Sequence, residues 1–337
     1  MNRINSRTIY LRGLIELSNI CRKDCLYCGI RCSNRKVERY ELAEAQVLEL
    51  SQYALDNGYG SVVLQGGERC DSNYVERISA LVYKIKHLVS RRTTVPLGIT
   101  LSLGEQSREV YREWSASGAD RYLLRIEASN PELYRKIHPL GNNDEIKMHS
   151  YARRVEALED LKSIGYITGS GMMIGLPYQR MDDLERDLDF LASLDVDMVG
   201  MGPYIPHRDT PLGRLALGMK PEGVPPDDGD FVSYTREQRL SLSLEMIRRL
   251  RERMPRINIA AATALEVLSE DGKAQAVLSG ANVIMPNITI SAMRRNYQLY
   301  EGKSEVKDDA ESTRLKLVRQ MERIGVKIGW FDIGNPR

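Results

Sequence analysis

From residue 9 to the C-terminus, short apolar runs of strand character alternate with longer amphipathic stretches, and no obvious linker interrupts them. Strand patterns fall at 9–18, 61–65, 97–103, 121–127, 166–174, 197–201, 257–261 and 282–285. Helical patterns fall between and after them, at about 41–57, 73–90, 107–117, 146–164, 181–193, 235–253, 264–279 and 311–324. Eight strands alternating with helices are the order a parallel (β/α)8 TIM barrel requires. A single domain over 1–337 is expected, ending in a helical segment at about 305–337. The stretch 203–232, rich in Pro, Gly and Asp, reads as a long loop after the sixth strand.

In such a barrel the chemistry sits at the carboxyl ends of the strands, so the loop after the first strand (19–40) is the first place to look. It contains CRKDCLYC, with Cys21, Cys25 and Cys28 spaced Cys-x3-Cys-x2-Cys. One short loop can thereby cap three irons of a 4Fe–4S cubane and leave the fourth iron open. An open, redox-active iron can bind and reduce S-adenosylmethionine, the chemistry of the radical SAM superfamily, whose spacing this loop resembles. Cys32 allows two other readings, a four-cysteine zinc site or a fully ligated cluster. Structural zinc sites pair two Cys-x2–4-Cys knuckles across a longer spacer, which is absent, and ferredoxin runs begin Cys-x2-Cys. Cys32 and Cys70 read as ordinary thiols.

Composition sets outer bounds. An apolar fraction of 42%, a charged fraction of 28% and a net charge of +2 suit a globular protein with a sizeable core. They give no push toward nucleic acid or a membrane, and no apolar stretch approaches the length that spans a bilayer. The opening MNRINSRTIYLRGLIEL lacks the order of a signal peptide. Five cysteines, three of them crowded in one loop, argue against a disulfide framework and for a reducing cytoplasm. A monomer is expected.

The fourth strand carries charge where a core would be apolar. Alternation places Arg121, Leu123, Arg125 and Glu127 on one face and Tyr122, Leu124 and Ile126 on the other, so the charged face turns into the barrel. Thr100 and Ser102 share the inner face of the third strand. Buried charges need partners or a ligand, so this is either an ion-pair network or a pocket for an anionic or zwitterionic molecule. After the second strand, Gly66-Gly67-Glu68 combines close backbone approach with an acid able to accept from an amine.

Taken together, VLQGGE, TLSLGE, GADRYLLRIE, NPELYRK, MMIGLP, DMVGMGPYIPHRDTPL, ANVIMPN and YQLYEGK resemble the HydE family of radical SAM maturases. The resemblance implies one 4Fe–4S cluster on Cys21, Cys25 and Cys28. It implies S-adenosylmethionine contacts from Tyr27, Gly67, Glu68, Ser102, Glu127, Arg154 (on the carboxylate) and Met285. It implies a substrate cavity formed by Thr100, Arg121, Arg125, Met198, Thr263, Tyr297 and Tyr300. Met198 and Met285 also suit core filling, and Tyr297 and Tyr300 a helix-face pair. The implied substrate is a small iron complex carrying CO, cyanide and cysteine, with transient contact to HydG- or HydF-type maturases. Two departures stand out: GKSEVKDDAESTRLKL holds no cysteine where many members bind a second cluster, and the family's N-terminal helical extension is absent, leaving the cover of the barrel's lower end open. Methylornithine synthase and biotin synthase resemble the chain less well. A non-catalytic iron–sulfur carrier is the other alternative.

Overall fold

Side chains alternate between the two faces of each strand, and nearly all of them are buried, outward beneath the helices or inward within the barrel. In β1 (Thr8–Ser18), Ile9, Leu11, Ile15 and Leu17 join the apolar layer beneath the helices, whereas Arg12 lines the interior. The computed structural model describes residues 8–138, 150–220, 231–303 and 309–335. Within them the remaining strands are β2 (Ser61–Gly66), β3 (Gly98–Ser102), β4 (Arg121–Leu123), β5 (Ile167–Ser170), β6 (Met173–Ile174), β7 (Met198–Pro203), β8 (Asn258–Ala261), β9 (Val283–Ile284) and β10 (Lys327–Gly329). All pairings between named strands are parallel: β1-β2-β3-β4-β5-β7-β8-β9, with β9 returning to β1. That ring is the eight-stranded parallel barrel.

The helices pack outside it, and their ends are chemically marked. Asp71 caps helix Ser72–Lys86 by accepting from the Tyr74 N–H, and Ser150 caps helix Tyr151–Ile164. The latter stops at Gly165, whose φ of +100° is costly for other residues. The apolar layer joins Ile78, Leu81, Trp114, Leu158 and Leu161 of the helices to Val62, Leu64, Ile99, Leu101, Tyr122, Leu124 and Ile126.

Several boundaries differ from the expectation. The strand expected at 166–174 divides into β5 and β6 at Gly171, where an added Cβ would lie 1.8 Å from the Gly200 carbonyl oxygen. The strand expected at 121–127 ends at Leu123, and Glu127 (φ +65°) makes only an isolated bridge to Met172. The helix expected at 264–279 is two, Ala264–Leu268 and Gly272–Ser279. The long loop holds a helix, Pro211–Ala216, capped by Thr210; its residues 221–230, like 146–149 of the helix expected there, lie outside the described residues.

The segment at 305–337 is helical only over Ala310–Arg323 among the described residues. It then forms β10, which pairs with Thr8–Tyr10 of β1, and a tail across the amino-terminal end of the barrel. The Phe331 N–H donates to the Gly58 carbonyl at 2.7 Å, and the Asn258 side-chain amide to the Gly334 carbonyl at 2.6 Å. The lower end is therefore covered by the chain's own C-terminal tail.

Candidate active site

The loop between β1 and helix Glu44–Asp56 folds back over the carboxyl end of the barrel. Cys21, Cys25 and Cys28 lie on it half-buried, while Cys32 and Cys70 are exposed. The Glu68 N–H donates to Cys21 Sγ at 3.3 Å, fastening the loop to the end of β2. This approach depends on Gly67, where a Cβ would meet the Ile20 carbonyl oxygen at 2.3 Å and Cys21 Cβ at 2.8 Å.

Burial pushes the Cys25 thiol up to about 12, and the neighbouring Cys21 charge adds to it. Cys28 is raised in the same way, by burial first and then by Cys25 and Cys21. Three half-buried sulfurs that oppose one another's ionisation suit a cationic metal core, because a metal deprotonates its thiol ligands outright. No three Cys, His or acidic side chains among the described residues are arranged to hold one metal ion; a cubane instead asks each sulfur to reach a separate iron.

Beside the cysteines is a buried charge network. The Glu105 N–H donates to Glu68 Oε2 at 2.8 Å, and Lys23 Nζ lies 3.4 Å from Glu68 Oε1 and 2.8 Å from Glu105 Oε2. Glu105 also pairs with Arg154, whose guanidinium donates to the Arg125 carbonyl as well. Burial raises Glu68, and Glu105 adds to this against the pull of Lys23; for Glu105 itself Arg154 and Lys23 outweigh burial and hold the carboxyl low. Arg125 Nη2 donates to the Met172 carbonyl at 2.7 Å and sits 2.9 Å from Glu127 Oε2. Glu127 is held in a left-handed backbone conformation that disfavours a side chain, and burial raises its carboxyl. Tyr27 and His138 share a 3.0 Å hydrogen bond between the hydroxyl and Nε2.

The expected residues separate into levels. Glu68, Glu127, Arg154, Tyr27 and the cysteines gather at the mouth, as do Arg125, Tyr297 and Tyr300, with Cys28 acting on Tyr297 and Arg125 on Tyr300. Ser102 is in register with Gln65 at the carboxyl ends of β3 and β2. Thr263 precedes helix Ala264–Leu268, just beyond β8. Thr100, Met198 and Met285 line a deeper cavity of about 20 Å³, shared with Arg12, Leu123 and Asn258. Arg121 lies lower still, donating to the Ile333 carbonyl at 3.0 Å and Asn335 Oδ1 at 2.7 Å. The structure thus joins Arg121 to the tail and not to the mouth.

Four residues at this end were not singled out from sequence: Lys23, Glu105, Glu16 and Lys303. Lys23 sits within the cysteine run and Glu105 ends the LSLGE motif, so a signal existed for both. Glu16 and Lys303 form a buried pair across 287 residues, which no local pattern reveals.

Comparison with known proteins agrees with this geometry. The radical SAM superfamily pattern matches residues 15–191. The [FeFe] hydrogenase maturase subunit HydE of Thermotoga maritima is 40% identical over 322 residues, covering 95% of this chain and 82% of the relative. The 3-methylornithine synthase of Methanosarcina acetivorans is 24% identical, covering 95% of this chain and 80% of that protein. Among solved structures, methylornithine synthase (PylB) superposes with a TM-score of 0.71 at 25% identity, covering 96% of this chain and 84% of that one. The maturase HydG of Carboxydothermus hydrogenoformans shares the fold, with a TM-score of 0.67 at 16% identity over 94% of this chain and 66% of its own. Three cysteines at the mouth of a parallel barrel, and a match that extends over nearly the whole chain, make this protein a radical SAM enzyme of the HydE family, using a 4Fe–4S cluster and S-adenosylmethionine.

Proposed function

We propose that the enzyme acts in maturation of an FeFe hydrogenase, on the sulfur of a small cysteine-bound iron complex carrying CO and cyanide. The likeness to the hydrogenase maturase over 95% of the chain is the observation that carries this reading. When bound, the reduced cluster supplies the electron that splits S-adenosylmethionine into methionine and a 5′-deoxyadenosyl radical.

The chain's residues then have distinct tasks. Cys21, Cys25 and Cys28 hold the cluster, and Glu68 accepts from the methionyl amine. Gly67 and the Tyr27 backbone approach the cofactor, with Ser102, Glu127 and Met285 alongside it. Arg154 grips the carboxylate, and the Glu105 pairing orients its guanidinium. Arg125, Thr263, Tyr297 and Tyr300 receive the substrate at the mouth, above Thr100 and Met198. The covered base and the apolar layer keep bulk water from a radical formed inside. HydG- or HydF-type maturases are the proposed transient partners for delivery and onward transfer.

Anaerobic incubation with S-adenosylmethionine and dithionite, followed by chromatography of 5′-deoxyadenosine, tests the proposal. The iron complex should stimulate nucleoside release and be consumed, whereas lysine and dethiobiotin should not. Conversion of lysine to methylornithine would overturn the substrate and favour the carbon-skeleton reading. No nucleoside with any of them would point to a carrier.

A further inference from the structure

Glu16 belongs to neither the cysteine loop nor the network around Glu68. It is fully buried on the inward-facing side of β1, four residues above Arg12 and in register with Gln65 of β2. Its backbone is fixed on both sides: the Glu16 N–H donates to Thr289 Oγ1 at 2.8 Å, and the Tyr40 hydroxyl donates to the Glu16 carbonyl at 2.9 Å. One carboxylate oxygen, Oε1, accepts from Lys303 Nζ. Lys303 is itself anchored by donating to the Tyr297 carbonyl at 3.0 Å, with Nζ 4.3 Å from the centre of the Tyr297 ring. The other oxygen, Oε2, is buried and has no hydrogen-bond partner among the described residues. A buried carboxylate oxygen without a donor is costly, and the usual remedy is a ligand or an ordered water.

The surroundings say what kind of ligand. The charges of Glu16 and Arg125 both act on the Tyr300 hydroxyl. Arg125 presents a buried Nε that also lacks a partner among the described residues. An unmatched acceptor on Glu16, near the carboxyl end of β1, and an unmatched donor on Arg125, just beyond the end of β4, therefore lie at the same end of the barrel. Cys28 acts on both Tyr297 and Lys303, so this spot adjoins the cluster loop.

We propose that Glu16 Oε2, held in place by Lys303, is a subsite for the α-amino N–H group of an amino-acid-derived substrate whose carboxylate is taken by Arg125. The inference deepens the proposed function and rests on its reading of a cysteine-derived substrate. The Lys303 pairing neutralises Glu16 when the site is empty. It leaves the second oxygen aimed at the ligand, so the subsite selects for N–H donors without being a bare buried charge.

The test is ligand binding to the cluster-loaded enzyme with S-adenosylmethionine bound, using calorimetry under anaerobic conditions. The probes are S-methyl-L-cysteine and 3-(methylthio)propanoate, which differ only in the amino group and cannot ligate iron through a free thiol. The enzyme is expected to prefer the amino acid by about tenfold or more, the scale of a hydrogen bond to a charged group. Glu16→Gln should reduce that preference to less than about threefold while affinity for 3-(methylthio)propanoate stays within about twofold. The double variant Glu16→Gln/Lys303→Met, which leaves no buried charge uncompensated, should show the same loss and serves if the single variant folds poorly. Equal binding of the two probes by the unmodified enzyme, or a preference that survives both variants, overturns the Glu16 assignment alone. Binding of neither probe overturns it together with the amino-acid reading of the substrate.

Discussion

At the residue scale, the five cysteines are sorted by where the chain places them. Cys21, Cys25 and Cys28 share one half-buried loop and oppose one another's ionisation, whereas Cys32 is exposed, its thiol raised by burial and then by Asp24. Replacing Cys25 by Ala removes one of three iron caps. It should abolish the charge-transfer absorbance and nearly all cluster-bound iron and sulfide. Cys32→Ala should leave iron content and 5′-deoxyadenosine formation near those of the unmodified enzyme, because its thiol lies outside the trio. Iron and sulfide analysis of anaerobically reconstituted variants checks both. Equal loss in the two would make Cys32 a fourth ligand and close the site to S-adenosylmethionine. The charged residues follow a similar logic: Lys23 and Arg154 both point at Glu105, so one carboxylate orders two cations beside the cofactor.

At the scale of elements, helix Met181–Ser193 carries a carboxyl whose burial makes stability depend on pH. Asp187 is fully buried; its Oδ1 accepts from the Ser129 N–H at 2.6 Å, and Oδ2 has no partner among the described residues. Burial pushes it from 3.8 up to about 7, against the opposing bonds from Ser129. The folded protein thus keeps a proton that the unfolded chain gives up. Stability from this group is fully present below about pH 4 and is lost as pH rises through about 7. Asp187→Asn keeps an acceptor for Ser129 and cannot ionise. Its stability relative to the unmodified protein should therefore rise between pH 4 and 8, by at most about 4 kcal/mol, as read from urea denaturation at the two pH values. A constant difference across that range would mean that Asp187 ionises normally.

Such features mark the boundary of what sequence patterns disclose. The inward face of β4 was legible from alternation alone, and Tyr122, Leu124 and Ile126 indeed pack in the outer apolar layer. Alternation assigns a face but not a height. Arg121 and Arg125 were indistinguishable in that pattern, although one lies near the base and the other at the mouth. The division at Gly171 was hidden because it depends on the Gly200 carbonyl of another strand. Glu16 and Lys303 were hidden for the same reason, since their relation is set by closure of the ring.

At the scale of the whole molecule, the two ends of the barrel are built by different parts of the chain. The mouth is made of loops following the strands, and the base is sealed by the tail after β10. The seal is polar as well as steric: without the tail Arg121 loses the Ile333 carbonyl and the Asn335 side chain, and Asn258 loses the Gly334 carbonyl. Gly60 is bare for the same reason, since a Cβ there would lie 1.8 Å from the Asp332 carbonyl oxygen. Removing residues 326–337 would leave buried guanidinium and amide groups unpaired, at about 1–3 kcal/mol for each lost partner. These three side-chain bonds alone predict roughly 3–9 kcal/mol, to which loss of the β10 pairing adds, read as a lower midpoint in urea or heat. Because the cysteine loop touches none of these groups, the shortened chain should still take up iron and sulfide when reconstituted cold. An unchanged midpoint would show that the tail is not the seal. Loss of cluster uptake from a chain that remains folded would show instead that base and mouth are coupled through the barrel wall.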